Sequence, residues 1–409
     1  MYTPADEATL GVRLRILRRW RGMTQVQLAG LAGLSPSYLS MVEHGTRMLD
    51  RRSNIAAVAS ALKVSETDLV GGPHLSSDPL QSDPHMAIPP LRVALQTNTL
   101  ASPAVDSGRP LAELHNEVFN RIEPLRRVCD YVTIGHLLPD VLDGLHWHAA
   151  QPGDEASRRL ALETLVEACV ITAAVAKELN YMDLASLAAL RAKDAASLLG
   201  DPVQQGKADF MWLLTLPRAG TWERTLAAAE RSADALQPHA TDSTGLEVLG
   251  MVTLTASLSA AAIHRADRAA FWLDEAAGVA ARVPDEPRRT WQSFSSTNVN
   301  AWRIAIGIEC GESGSKITDL ASSVNLELFE PKSSRRANIL ADIGRGLARE
   351  PRTRAESVRW LRRAEDASPQ RIRNSTPVRE TVAYLLNRAK ADAMGRELRG
   401  MAARMGVPH

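Results

Sequence analysis

The chain has 409 residues, of which 45% are hydrophobic and 23% are charged, and its formal net charge is +1. This composition excludes a wholly disordered chain, and the small net charge excludes a general attraction to nucleic acid. The length predicts two or three domains. Charge is uneven, however, because the first 52 residues hold eight arginines and four acidic residues, which is enough for a local phosphate-binding face.

The first 70 residues carry the start and stop signals of short helices. In chain order these signals are Leu10, Leu14 and Leu17 at helical spacing, Gly22 as a stop, Thr24 with Gln27 as a capping box, Gly33 as a second stop, and Ser35-Pro36 as a third start. Two short helices across a tight turn that contains glycine predict a helix-turn-helix.

This motif resembles the XRE family of phage-repressor-like helix-turn-helix regulators. The residues that carry the resemblance are Thr24-Gln25-Val26-Gln27-Leu28-Ala29, Gly33-Leu34-Ser35, Tyr38-Leu39-Ser40 and Glu43-His44-Gly45. With a fourth helix over Ile55–Leu62 and a fifth from Ser65-Glu66, it implies a five-helix domain over residues 1–70, in which Glu43 pairs with Arg18. It also implies a bacterial homodimeric transcription factor that binds a two-fold symmetric operator in double-stranded DNA.

The resemblance implies a set of DNA-binding residues around the second and third helices. They are Gln25 at a phosphate-facing helix start, Pro36, Ser37, Tyr38, Ser40 and Met41 on the major-groove face, and His44, Arg47, Arg51 and Arg52 beyond it. The groove face has no Arg, Asn or Gln, so we expect Arg47 or DNA shape to supply much of the specificity. Tyr38 has an alternative role, which is packing over the first helix.

Residues 71–110 are rich in Pro, Gly and Ser and predict a linker, with one short ordered piece at Leu91–Leu95. Beyond it, apolar residues recur at helical spacing throughout residues 111–409. Five helical segments end at prolines that are 36 to 47 residues apart: Pro202, Pro238, Pro284, Pro331 and Pro369. Each interval accommodates one antiparallel helix pair, so this all-α region is expected to be an α-solenoid that resembles a tetratricopeptide array and serves in sensing and dimerisation.

A polar stripe in this array recurs at helical spacing through Arg335, Asn338, Asp342 and Arg345, either as a solvated face or as the wall of a concave channel. The candidate ligand-binding residues are Asn298, Trp302, Asn338, Asp342 and Asn387. The architecture resembles that of peptide-pheromone receptors, and a small metabolite is an equally open signal. The alternative is an array that docks a partner protein, with the DNA-binding domain only localising the complex.

Signatures of other classes of protein are missing from the sequence. There is no H-E-x-x-H or phosphate-binding glycine motif, and His146 and His148 diverge on a helix, so we expect no enzyme, cofactor or metal. The dispersed Cys129, Cys169 and Cys310 favour free thiols. The N-terminus lacks the apolar run of a signal peptide, and the uncharged stretch Val248–His264 predicts a buried helix. We therefore expect a cytoplasmic, nucleoid-associated protein without membrane contact.

Overall fold

The computed structural model describes residues 9–72, 82–151, 154–216, 222–389 and 393–407, except for the side chains of 393 and 394. Within these ranges the regular secondary structure is helical and includes no strand. The prediction of an all-α chain with an N-terminal helix-turn-helix and a long helical region is confirmed.

Residues 9–70, named the head here, form five helices. They are α1 (Leu10–Trp20), α2 (Gln25–Leu31), α3 (Pro36–Glu43), α4 (Arg52–Leu62) and α5 (Glu66–Val70). The predicted caps are present, since the Thr24 hydroxyl accepts from the Gln27 amide at 3.2 Å and the Ser35 hydroxyl accepts from the Tyr38 amide at 3.2 Å. Helix α4 begins at Arg52, three residues before the predicted Ile55.

The predicted linker contains more ordered structure over residues 82–97 than the short piece expected at Leu91–Leu95. A 3₁₀ helix (Asp83–Ala87) leads into α6 (Ile88–Thr97), whose apolar face is buried in the core of the following helices. Leu91 and Leu95 are fully buried, and the prolines at the start of α6 occupy the first helical turn, where proline is tolerated. The proline-rich composition concealed this helix. Residues 73–81 of the predicted linker lie outside the described residues.

The region from residue 82 onward, named the array here, is a succession of packed helices. After α6 these are α7 (Leu111–Glu117), α8 (Glu123–Val128), α9 (Tyr131–Ala150), α10 (Glu155–Glu178), α11 (Met182–Leu199), α12 (Pro202–Thr215), α13 (Trp222–Leu236), α14 (Ser243–Ala262), α15 (Ala266–Ala280), α16 (Ser296–Cys310), α17 (Ser315–Ser322), α18 (Ser334–Ala348), α19 (Arg354–Ala367), α20 (Pro369–Asn374), α21 (Thr376–Leu386) and α22 (Ala393–Arg404). Each of the four intervals between the spaced prolines holds one helix pair, from α12/α13 to α18/α19.

Helix α14 lies at the centre of the array. It is long and apolar enough to cross a membrane, but the whole of its apolar window is buried inside the protein. Gly250 allows the close approach of the Phe294 ring, because an added Cβ would lie 1.9 Å from that ring. The prediction of a buried helix here is confirmed.

Candidate nucleic-acid interface and ligand cavity

The recognition helix α3 is fixed to α1 by a buried ion pair. Arg18 Nε donates to Glu43 Oε1 at 2.6 Å, and Arg18 Nη2 donates to Glu43 Oε2 at 2.8 Å. Burial raises the pKa of Glu43, but hydrogen bonds from Arg18 and Gln25 outweigh it and hold that pKa below its usual range. The pair that the family resemblance implied is therefore present, and it sets the angle between the two helices.

Close backbone packing completes this arrangement. A Cβ at Gly11 would lie 2.2 Å from the carbonyl oxygen of Val42, so α1 and α3 approach each other at a point where only glycine fits. Leu14, Leu28 and Leu39 are fully buried beneath α3. The outer face of α3 is thus presented on a rigid support.

The predicted DNA-contacting residues divide by exposure. Five are exposed, namely Pro36, Ser37, Met41, His44 and Arg47, and five are half-buried, namely Gln25, Tyr38, Ser40, Arg51 and Arg52. The exposed set forms the outer face of α3 and the loop that follows it. This face is weakly polar, and Arg47 is its one charged member among the exposed five.

Two of the half-buried residues have internal roles. The Tyr38 hydroxyl donates to the Met48 carbonyl at 2.8 Å, and its ring packs on the core of the head. Gln25 Nε2 donates to Glu43 Oε2 at 2.9 Å, so its side chain supports the buried ion pair. The backbone amide of Gln25 remains at the start of α2, where a phosphate would meet it.

Arg51 and Arg52 lie between the head and the array. Arg52 donates to Glu309 through both its backbone amide, at 2.8 Å, and Nη1, at 2.6 Å. The Arg51 guanidinium lies against Gly311, at the end of α16. The expectation that Arg52 contacts the DNA backbone stays a prediction; in this conformation its Nη1 is paired with Glu309.

Three further contacts hold the head on the array. Glu380 of α21 accepts from the Leu10 amide at 2.8 Å and pairs with Arg13 at 3.4 Å. Asp50 pairs with Arg349 at 2.7 Å. The last is a hydrogen bond from the Arg388 guanidinium to the Thr46 carbonyl. Sequence reasoning missed this interface, since each acid and its partner are hundreds of residues apart.

Two neighbouring cavities lie behind the head. The interface cavity, of about 310 Å³, is enclosed by residues of both the head and the array. The array cavity, of about 280 Å³, is lined by array helices together with Arg52. They share the lining residues Arg52, Lys177, Glu178, Leu214, Leu258, Asn338 and Arg371.

The array cavity is rich in positive charge. Seven basic residues line it, Arg52, Arg126, Arg127, Lys177, Arg288, Arg335 and Arg371, against the acidic Glu178, Glu330 and Asp342. Burial raises the pKa of Glu178, but Arg371 and Lys177 outweigh it and lower that pKa to about 2. Glu178 is therefore charged at neutral pH and forms ion pairs with Lys177 and Arg371.

The five predicted ligand-binding residues fall into three places. Trp302, Asn338 and Asp342 line the array cavity together. Asn298 is fully buried behind it and accepts a hydrogen bond from Arg335 Nε at 2.6 Å. Asn387 lines the interface cavity beside Gly45 of the head. The polar stripe on α18 is thus a cavity wall rather than a solvated face.

His146 and His148 each lie within hydrogen-bonding distance of a backbone carbonyl oxygen. His146 Nδ1 lies 2.7 Å from the Leu142 carbonyl, and His148 Nε2 lies 2.7 Å from the Arg109 carbonyl. Among the described residues no group of three or more His, Cys, Asp or Glu side chains is placed to hold a metal ion.

The fold and the recognition face define the head as a helix-turn-helix domain, and residues 9–70 match the family model described as "Helix-turn-helix domain". Over 63 residues, 15% of this chain, the sequence is 43% identical to the immunity repressor protein of Bacillus phage phi105, and the match covers 43% of that repressor. The chain therefore spans less than half the length of this relative. A solved structure, Bacillus thuringiensis PlcR in complex with the peptide PapR7 and DNA, is 13% identical, with 77% of this chain and 92% of that chain covered. Its TM-score is 0.32, which is too low to support an argument about the array.

Proposed function

We propose that this protein is a cytoplasmic, sequence-specific DNA-binding transcription regulator whose array binds a signal ligand. The observation that carries the proposal is the shared wall of the two cavities: Arg52, which opens α4 of the head, lines both of them. A molecule bound in the array therefore lies against the domain that binds DNA.

DNA binding rests on the rigidly held face of α3. One head of this size offers few contacts to base edges, and its groove face is weakly polar, so two heads acting together on a two-fold operator would supply the affinity. We therefore propose a homodimer. Arg47 and the amides at the start of α2 are the proposed phosphate or base contacts in each head.

Signal transfer follows from how the head is held. Ion pairs and hydrogen bonds from four array residues hold the head beside the interface cavity. These residues are Glu309, Arg349, Glu380 and Arg388. A ligand that moves α18 or α21 changes these contacts and so changes the distance between recognition helices in a dimer. Aromatic side chains line the array cavity, among them Phe210, Trp302 and Phe329, which favours a small ligand over a docked protein.

The proposal is tested by selecting duplexes from a randomised pool with the full-length protein and measuring binding of the recovered sequence. We expect a two-fold symmetric site, a dimer in the complex, and weaker binding by Arg47→Ala. The control is Arg359→Ala, which removes an exposed charge from α19, away from the head. Recovery of no sequence preference would reject the proposal.

A further inference from the structure

Arg335 has an unusual position among the cations of the array cavity. The other six basic lining residues each have a carboxylate within 4 Å, whereas Arg335 has none among the described residues. Its one hydrogen bond is from Nε to the neutral Asn298 amide oxygen. The remaining guanidinium N–H groups have no protein partner in the part of the chain that the structure describes.

The neighbours of Arg335 compensate its charge only in part, through the electrostatic attraction of Asp342. Asp342, seven residues on along α18, is already engaged by Arg345 at 2.9 Å and by Asn338. Arg371, a second cation on the same cavity, uses Glu178, the Ser334 hydroxyl and the Asn338 amide oxygen. Burial lowers the pKa of Arg335 to about 10, which still leaves it charged at neutral pH. Arg335 is half-buried and has no carboxylate within 4 Å in the part of the chain that the structure describes, so an anion in the cavity would be stabilised by its charge.

Part of the cavity wall near this cation is apolar. Trp302 lies beside Arg335, with the guanidinium carbon 5.6 Å from its ring centroid. Phe210, Met211, Met251 and Phe329 add further apolar side chains to the lining. A ligand that satisfies this cavity carries one negative group and a hydrophobic body.

We infer that the array cavity binds a small apolar monocarboxylate, with its carboxylate on Arg335 and its hydrocarbon body against Trp302 and Phe210. This inference rests on the proposed function and names the chemical class of its signal. A cavity of about 280 Å³ suits a molecule of the size of decanoate and is too small for an extended peptide of several residues.

The test measures binding of decanoate to the full-length protein by calorimetry, beside decan-1-ol, decylamine and methyl decanoate. We expect decanoate to bind at least about tenfold more tightly than the three others, because only it presents an anion to Arg335. The ester comparison needs no variant and holds even if substitutions disturb folding.

Variants locate the site. Arg335→Gln is expected to weaken decanoate binding by about tenfold or more and leave decan-1-ol binding unchanged, and Arg335→Lys to lose less, since it keeps the charge. The matched control is Arg359→Gln, an exposed arginine on the paired helix α19. Equal affinity for decanoate and its ester, or equal decanoate affinity in wild type and Arg335→Gln, would overturn the inference.

A second readout separates this inference from the proposed function. Operator affinity is measured with and without decanoate, using the duplex selected above. Decanoate binding that requires Arg335 but leaves operator affinity unchanged would support the site and reject the regulatory coupling. Operator binding that persists in a protein to which decanoate does not bind would overturn the ligand class and leave DNA binding intact.

Discussion

Arg52 of the head and Glu309 of the array form a two-point contact, in which both the backbone amide and the guanidinium of Arg52 donate to one carboxylate. The Glu309 side chain is 0% exposed and that of Arg52 is 34% exposed. A residue at the start of α4 thereby fastens the DNA-binding domain to the end of α16. This contact also explains why α4 begins at Arg52, because the Glu309 carboxylate accepts from the first backbone amide of the helix.

The first prediction concerns this contact. Arg52→Ala leaves Glu309 buried with only the backbone amide as partner, and we expect it to lower the free energy of head undocking by about 2 kcal/mol, below the value for a fully buried pair because Arg52 is partly solvated. Amide hydrogen exchange across α4 measures this change. Arg352→Ala, at an exposed arginine of the array, is the control. Unchanged exchange in the Arg52 variant would show that the contact does not hold the head.

The second prediction concerns the pair between α1 and α3. Glu43→Gln removes the negative charge that neutralises Arg18, whose side chain is 11% exposed, and we expect a loss of about 3 kcal/mol in the stability of the head. Hydrogen exchange of the α1 and α3 amides measures it. The adjacent Arg19→Ala, at an exposed position, is expected to change stability by less than about 0.5 kcal/mol. Similar exchange in both variants would contradict a structural role for the pair.

Local features of the head could be predicted from sequence, and long-range contacts could not. The caps at Thr24 and Ser35 depend on residues three positions apart, so the pattern contains all the information that the structure uses. The Arg52–Glu309 contact depends on how 257 residues of chain return to one place, which no local spacing encodes. The sequence therefore predicts Arg52 only as a DNA-backbone contact and gives no sign of its pairing with Glu309, a buried acid of the array.

The array cavity was predictable in part for the same reason. Asn338 and Asp342 share a face of one helix, and helical spacing placed both on the wall that lines the cavity. Arg371, from α20, completes that wall but shares no periodicity with α18. Asn298 has the correct helix face and lies one layer deeper, because its amide supports Arg335 instead of reaching the cavity.

The third prediction uses the pKa of Glu178. Because this pKa is lowered to about 2 in the folded protein, its charge contributes stability that is full above the unfolded value near 4.3 and is lost as the pH falls toward 2. We expect Glu178→Gln to cost on the order of 3 kcal/mol at neutral pH, and the difference from wild type to shrink on acidification. Thermal unfolding of both proteins between neutral pH and pH 3 measures it. Glu163→Gln, on the same helix α10, is the control, and a difference independent of pH would reject the assignment.

The fourth prediction distinguishes two arginines that the family resemblance treats alike. Arg47 is exposed beyond the recognition helix, whereas Arg52 is engaged by Glu309. If Arg47 contacts a phosphate, Arg47→Ala weakens operator binding and reduces the slope of log affinity against log salt by about 0.9 for each head, because one fewer counterion is released. Arg52→Ala is expected to leave that slope unchanged, even where it alters affinity through head docking. Titrations of the selected duplex at several salt concentrations measure both slopes, with half-sites expected about 34–36 Å apart, or a multiple of that distance. A reduced slope in the Arg52 variant would mean that Arg52 separates from Glu309 and contacts the DNA. An unchanged slope in the Arg47 variant would show that Arg47 does not contact a phosphate.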